Sequence, residues 1–295
     1  MFRYYGALGL TLVKLAFILT IFKIELPKSL LVSLNLIGFW LFFDSVDFKL
    51  NHTSILHKIK KLHSLLFYII IIAVLISLVS EFFGAYISGL WGDLYYRGLA
   101  KLPLARQVIS FLKGMVIGYG APFLLAITLY RIILHFVKKE IPKLRFKFNL
   151  KKDEKYIFSH IGLIGAIFLI IPLLFFNLSK NWEPVFRGLL FGFTLLGFWF
   201  LLEYVEYKKH ESSLLKDILE FKWRYLIAVI ITSLTIALIV EGFNILNPAW
   251  QYKNIPLAHI SIFGRPVIII FGWIPLVVIY LSFYRGFLRK RDVTF

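Results

Sequence analysis

Long apolar runs separated by short polar stretches set the plan of this chain. Eight such runs lie near 4–23, 29–46, 64–84, 108–136, 156–177, 187–206, 224–245 and 262–285. Each is long enough for about 20 helical residues to cross ~30 Å of hydrocarbon. Period-two alternation is missing, which argues against a barrel of strands. The fourth and eighth runs exceed what a span needs and are interrupted by Gly and Pro. That fits tilted or kinked spans, or a span preceded by an interfacial stretch. Arg3 precedes the first run, but no small-residue cleavage site follows it, so the run reads as a retained helix.

The pattern is also written twice. GFWLFFDSVDFKLNHTSIL, from Gly38 to Leu56, returns as GFWFLLEYVEYKKHESSLL from Gly197 to Leu215. In that register Trp40 matches Trp199, Asp44 matches Glu203, Asp47 matches Glu206 and Lys49 matches Lys208. Further on, Glu81 answers Glu241, Trp91 answers Trp250, and Leu102-Pro-Leu-Ala answers Ile255-Pro-Leu-Ala. Pro122 with Tyr130-Arg131 answers Pro275 with Tyr284-Arg285. Self-similarity in the same order, at an offset of 159 or 160 as far as Trp91 and of 153 or 154 after it, predicts two copies of one unit. The expected fold is all-α and polytopic, with eight transmembrane helices in two four-helix repeats, 1–138 and 156–295, joined by a basic linker over 139–155. Four helices per copy return each copy to its starting side, so the repeats are parallel rather than inverted.

Composition agrees: 59% hydrophobic and 17% charged residues, with a mean hydropathy of +0.79, do not suit a soluble domain. Most of the 34 Lys and Arg fall at the termini and in the loops after the second, fourth and sixth runs. This is the positive-inside pattern and predicts an inner-membrane protein with both termini cytoplasmic. The same asymmetry accounts for the net charge of +18 without nucleic acid, through topology and anionic headgroups. With no cysteine, disulfides, thiolate metal sites and thiol nucleophiles are excluded from this chain. Low Asn, Gln and Met beside abundant Ile, Phe and Lys is compatible with a thermophilic source.

Candidate chemistry narrows to carboxylates and aromatics. Histidines 52, 57, 63 and 210 fall in loops on the basic side, 135 and 160 near span ends, and 259 in an opposite loop. None is mid-membrane, where an axial haem ligand is needed, and no Walker, zinc-protease or serine-hydrolase motif is present, so no cofactor or metal is expected. Asp44 with Asp47, and Glu203 with Glu206, are spaced i,i+3 on one helix face. Beside Lys49, Lys208 and Lys209, they read as solvated, ion-paired helix ends that fix the turn into the next helix. Lys14, in mid-span, is expected to face a helix or cavity, most simply in an ion pair with a carboxylate.

Glu81 and Glu241 each follow an uninterrupted apolar run at the other membrane face. An ionisable group there belongs in the protein interior, a water pocket or an interface. Two readings stand: a proton donor or acceptor in a shared site, or a carboxylate bonded to loop backbone, Arg97 or Arg265. Asn244, three residues after Glu241, shares its face. The loops that follow carry Trp91, Tyr95, Tyr96, Trp250 and Tyr252, either as interfacial belt residues or as the aromatic mouth of a cavity.

The series Glu241-x-x-Asn244, Trp250-x-Tyr252, Pro256 and FGRPVIIIFGWIP resembles a family of uncharacterised prokaryotic multi-pass membrane proteins. That family carries Trp-Glu-x-x-Asn, Trp-x-Tyr, Pro and Gly-Phe-x-Gly-x-Pro. The resemblance covers 197–285 and more loosely 38–131, departing at Val240 and Arg265. More distantly, an acidic residue followed by Trp-x-Tyr and Pro-Leu looks like the membrane lycopene cyclase and carotenoid-modifying families. Their acidic pair after Pro-Leu is replaced by Ala105-Arg106 and Ala258-His259, so this likeness implies architecture rather than cyclisation.

Three functions are compatible. The first is binding or modification of a long apolar lipid or isoprenoid near the extracytoplasmic side. Glu81 and Glu241 would then be acid and base, and Trp91, Tyr95, Tyr96, Asn244, Trp250 and Tyr252 would surround the substrate. The second is a non-catalytic membrane subunit or anchor of a larger, quinone-linked complex, with other integral membrane proteins as partners. The third is a transporter, disfavoured because few polar residues cross the midplane.

Overall fold

The computed structural model describes residues 2–24, 26, 28–93, 104–137, 153–175, 178, 182–253 and 255–288. Helices α1 (Phe2–Ile21) and α2 (Lys28–Asn51) form a hairpin, followed by the short α3 (Ile55–Lys61). Helix α4 (His63–Ser80) runs on as a π-helical segment, Glu81–Ile87, then strand β1 (Trp91–Asp93) and helix α5 (Leu104–Phe136). Helices α6 (Glu154–Leu174), α7 (Pro184–His210), the short α8 (Leu214–Leu219) and α9 (Trp223–Leu246) come next. Strand β2 (Trp250–Tyr252) and a hairpin of β3 (Ser261–Ile262) and β4 (Arg265–Pro266) precede α10 (Val267–Phe283), which continues as a π-helical turn, Tyr284–Leu288. The chain is thus mostly helical, and eight helices are long and apolar enough to cross a membrane.

Both long runs resolve into definite shapes. The fourth lies in one continuous helix of 33 residues carrying Pro122. The eighth begins as the β3–β4 hairpin, and only from Val267 does it become the helix that carries Pro275. Phe263 and Gly264 turn that hairpin with φ of 51° and 72°, the left-handed pair that a two-residue turn of this hand requires.

Packing follows small residues, because apolar side chains gain nothing by leaving lipid for a neighbouring helix. Helix α1 lies on α2, and α6 lies on α7. A Cβ at Gly9 would stand 2.5 Å from the Gly38 carbonyl, and one at Gly165 would stand 2.9 Å from the Gly197 carbonyl. One turn away, Gly6 abuts Ser45 and Gly162 abuts Tyr204. Helix α5 packs on α2 and α4, α10 packs on α7 and α9, and α5 meets α9 and α10 in the middle. The buried core there includes Leu125, Ile127, Val277 and Leu281, with Phe123 and Tyr280 edge to face at 5.7 Å.

Two ends of the bundle can be distinguished. At the near end, where α1 begins and α10 finishes, Lys60 donates to Tyr5 at 2.7 Å and Lys58 donates to Tyr284 at 3.2 Å. At the far end Asn247 donates to the Lys28 carbonyl, and β1 pairs antiparallel with β2, Trp91 opposite Tyr252. Lys14 is exposed on α1, contrary to the expectation of a buried partner. The buried stripe of α1 runs through Gly9, Val13 and Ala16, and the position after Val13 is rotated about 100° off it.

Candidate functional site

The near-end carboxylates are buried and not solvated, which corrects the reading of them as exposed helix ends. Asp44, Asp47, Glu203 and Glu206 are each at most 1% exposed. The cationic partners of Asp47 and Glu206 are arginines on α5 and at the end of α10 rather than the adjacent lysines. Arg131 donates to Asp47 at 2.8 Å, and to the carbonyl and hydroxyl of Thr53 at 2.9 Å each. Arg285 donates to Glu206 at 2.6 Å and to Asp217 at 2.9 Å, and Lys222 also reaches Asp217. Inside a membrane protein a guanidinium fork can replace the water that makes such charges cheap at a surface.

The other pair of carboxylates holds the next short helix. Asp44 accepts from the Ser54 hydroxyl and the Leu56 amide, at 2.6 and 3.1 Å. Glu203 accepts from the Leu215 amide on one oxygen, and from Trp199 and Ser282 on the other, each at 2.8 Å. Ser54 and Ser213 cap α3 and α8 through the backbone amides of His57 and Lys216.

The far half holds a cavity of about 750 Å³, and both Glu81 and Glu241 line it. Its walls come from α2 (Val32, Ser33, Leu36), the α4 end (Ser80), α5 (Gly114, Gly118, Tyr119, Pro122), α7 (Gly188, Gly192, Leu195) and α10 (Gly272, Trp273, Pro275, Leu276). Trp250, Tyr252, Ile255 and Pro256 close the far side. The volume owes much to glycine: a Cβ added at Gly118, Gly192 or Gly272 would meet nothing within 4 Å. Val185, Leu189, Leu257, Ile268 and Phe271 belong to the lining and are also exposed, so the mouth has an apolar rim where α7, α10 and the 255–257 segment meet.

Each glutamate is gripped by a phenol. Tyr119 donates to Glu81 Oε1 and Tyr252 donates to Glu241 Oε1, both at 2.6 Å. Trp273 adds its indole N–H to Glu241 Oε1 at 3.3 Å. Burial, then the facing Glu241 carboxylate, pushes the Tyr252 phenol well above its ordinary value, so it keeps its proton and serves as donor. Glu81 opens the π-helical segment, a wide turn often found where a helix carries functional groups. Pro122 and Pro275 lack the N–H that would pair with the carbonyls of Gly118 and Phe271, two residues that also line the cavity.

The structure therefore brings together Glu81, Glu241, Trp250 and Tyr252. Asn244 is not in the lining. Its side-chain oxygen accepts from Ala249 N at 2.9 Å and its amide donates towards the Trp250 carbonyl at 3.4 Å, so it shapes the turn into β2. Trp91 is described only as backbone paired with β2, and Tyr95, Tyr96 and Arg97 lie outside the described residues. Arg265, the alternative partner of Glu241, stands 3.9 Å away from Oε2. Tyr119 and Trp273 went unread in the sequence; the signal was an aromatic beside glycine shortly before each matched proline, Tyr119 before Pro122 and Trp273 before Pro275.

Among the described residues no group of three His, Asp or Glu is placed to hold a metal ion. No protein-family model, curated protein or solved structure matches the chain, so its site must be read from its own residues.

Proposed function

We propose that this membrane protein binds or modifies a long apolar lipid or isoprenoid in the far-end cavity, on the extracytoplasmic side. The observation that carries the reading is one glycine-walled apolar cavity with two phenol-gripped carboxylates. Its volume falls within the roughly 300–1,000 Å³ typical of small-molecule sites. An apolar, surface-reaching rim suits a ligand that enters from lipid, since a water-fed mouth would be polar. Glu81 and Glu241 are the proposed acid and base, with Tyr119, Tyr252 and Trp273 holding their orientation.

The same proposal includes the architecture. The chain is read as two parallel copies of one four-helix unit, 1–138 and 156–295, with both termini cytoplasmic. Support comes from contacts that recur at matched positions: the glycine crossings Gly9–Gly38 and Gly165–Gly197, the serine caps, and the Asp47–Arg131 and Glu206–Arg285 pairs.

The test is lipid mass spectrometry on protein purified in mild detergent and on the expressing membranes. A long apolar molecule should be retained by the wild-type protein and lost from Gly192→Phe, whose side chain starts at a Cβ position with nothing within 4 Å and extends into the cavity space. If modification occurs, Glu241→Gln abolishes the product while leaving the bound molecule in place. Identical lipid content in wild type and Gly192→Phe overturns the reading.

A further inference from the structure

Resting on that lipid-binding reading, we infer that the ligand's polar end is a neutral group that both donates and accepts a hydrogen bond, namely a hydroxyl, seated between Glu241 and Arg265. Glu241 Oε1 is engaged by Tyr252 and Trp273, whereas Oε2 accepts no hydrogen bond from the described residues. Glu241 is 3% exposed and lines the cavity. The Arg265 Nε, 3.9 Å from Oε2, is likewise buried and donates none. Thus a buried acceptor and a buried donor lie too far apart to satisfy each other. Leaving such groups unmet is costly, and proteins normally pair them.

One oxygen placed about 2.8 Å from each would close both, because the two reaches together exceed the gap. It would accept from Nε–H and send its own proton to Oε2. The candidate head groups separate on this requirement. A fully ionised phosphate or diphosphate brings only acceptors, and either protonation form adds negative charge beside two carboxylates. An ammonium brings only donors, leaves Nε unmet and sits against a guanidinium. A ketone satisfies Nε and leaves Oε2 unmet. A hydroxyl satisfies both, and its apolar tail takes the space that Gly118, Gly192 and Gly272 leave open.

The test uses full-length protein in lipid nanodiscs with three probes of one tail: farnesol, farnesylamine and farnesyl diphosphate. Binding is read by native mass spectrometry and by the thermal shift at matched probe concentration. Farnesol should bind at least tenfold more tightly than the other two. Arg265→Met should lose most of that preference over the amine, and Glu241→Gln should lose less, since an amide still accepts. Equal binding of all three probes, abolished by Gly192→Phe, overturns the hydroxyl assignment and keeps the lipid cavity. Binding of none of them, in wild type and Gly192→Phe alike, overturns both. A high-resolution map with water alone between Glu241 and Arg265, and the farnesol hydroxyl elsewhere, also overturns the assignment.

Discussion

Matched carboxylates of unequal length supply the sharpest test of the near-end network. Glu203 reaches Trp199 Nε1 and the Ser282 hydroxyl while still holding the Leu215 amide. In the first half the shorter Asp44 holds the Leu56 amide and the Ser54 hydroxyl, and both Trp40 Nε1 and the Thr128 hydroxyl are buried without a hydrogen bond among the described residues. Glu203→Asp should therefore give position 203 the reach of Asp44, keeping the backbone contact and orphaning two donors. Each lost bond to a charged acceptor is worth about 1.5–3 kcal/mol in water, reduced towards ~0.6 kcal/mol by the partners available in a membrane. The expected loss is about 2–4 kcal/mol, a fall of roughly 4–8 °C in the unfolding midpoint for a chain of this class. Thermal unfolding in detergent, followed by tryptophan fluorescence, reads it. The reciprocal Asp44→Glu should gain, though by less, because the added methylene enters a packed site. A Glu203→Asp protein within ~0.5 kcal/mol of wild type would refute the claim that carboxylate length controls these donors.

Arg285→Met should destabilise by about 3–5 kcal/mol, more than Arg131→Met, because it strands buried Glu206 and also removes one of the two cations on Asp217, leaving Lys222; folded yield and unfolding midpoint check the order. Gly9→Val and Gly165→Val should each force α1 from α2, or α6 from α7, and cost several times more than Gly118→Ala, whose Cβ has open space. The raised Tyr252 phenol holds its proton longer folded than unfolded, so its contribution is full below the ordinary value of 10.0 and is lost as pH climbs through the folded one. Tyr252→Phe should flatten that alkaline fall in stability, measured as unfolding midpoint against pH; an unchanged slope would remove the buried-phenol account.

The eight spans were legible because twenty apolar residues in a row have few other homes, and Glu81 and Glu241 stood out as charges closing such runs. What escaped was set by tertiary approach. Arg131 and Arg285 were visible as a matched pair, yet nothing local says that a guanidinium one helix away reaches Asp47 or Glu206. Asn244 shares the face of Glu241 by helical spacing, but its amide is claimed by the backbone of a turn that periodicity does not encode. Lys14 misled for the opposite reason: depth in a span was visible, rotation about the helix axis was not. The β3–β4 hairpin hid inside an apolar run because Ile262 and Phe263 count towards hydropathy in whatever conformation they adopt.

The β1–β2 ribbon has a mechanical consequence. It stitches the far-end loops of the two halves together, Gly92 opposite Gln251, while Lys58 and Tyr284 tether them at the near end and Phe123 packs on Tyr280 between. A pump that rocks its halves needs one end free to part while the other closes. Here both ends are sewn, so on the proposed lipid-binding function the cavity would act as a fixed vessel whose contents exchange through its apolar rim. Turnover would then be paced by rotamer changes of rim residues such as Leu189 and Phe271, and by the fluidity of the surrounding lipid, rather than by any hinge.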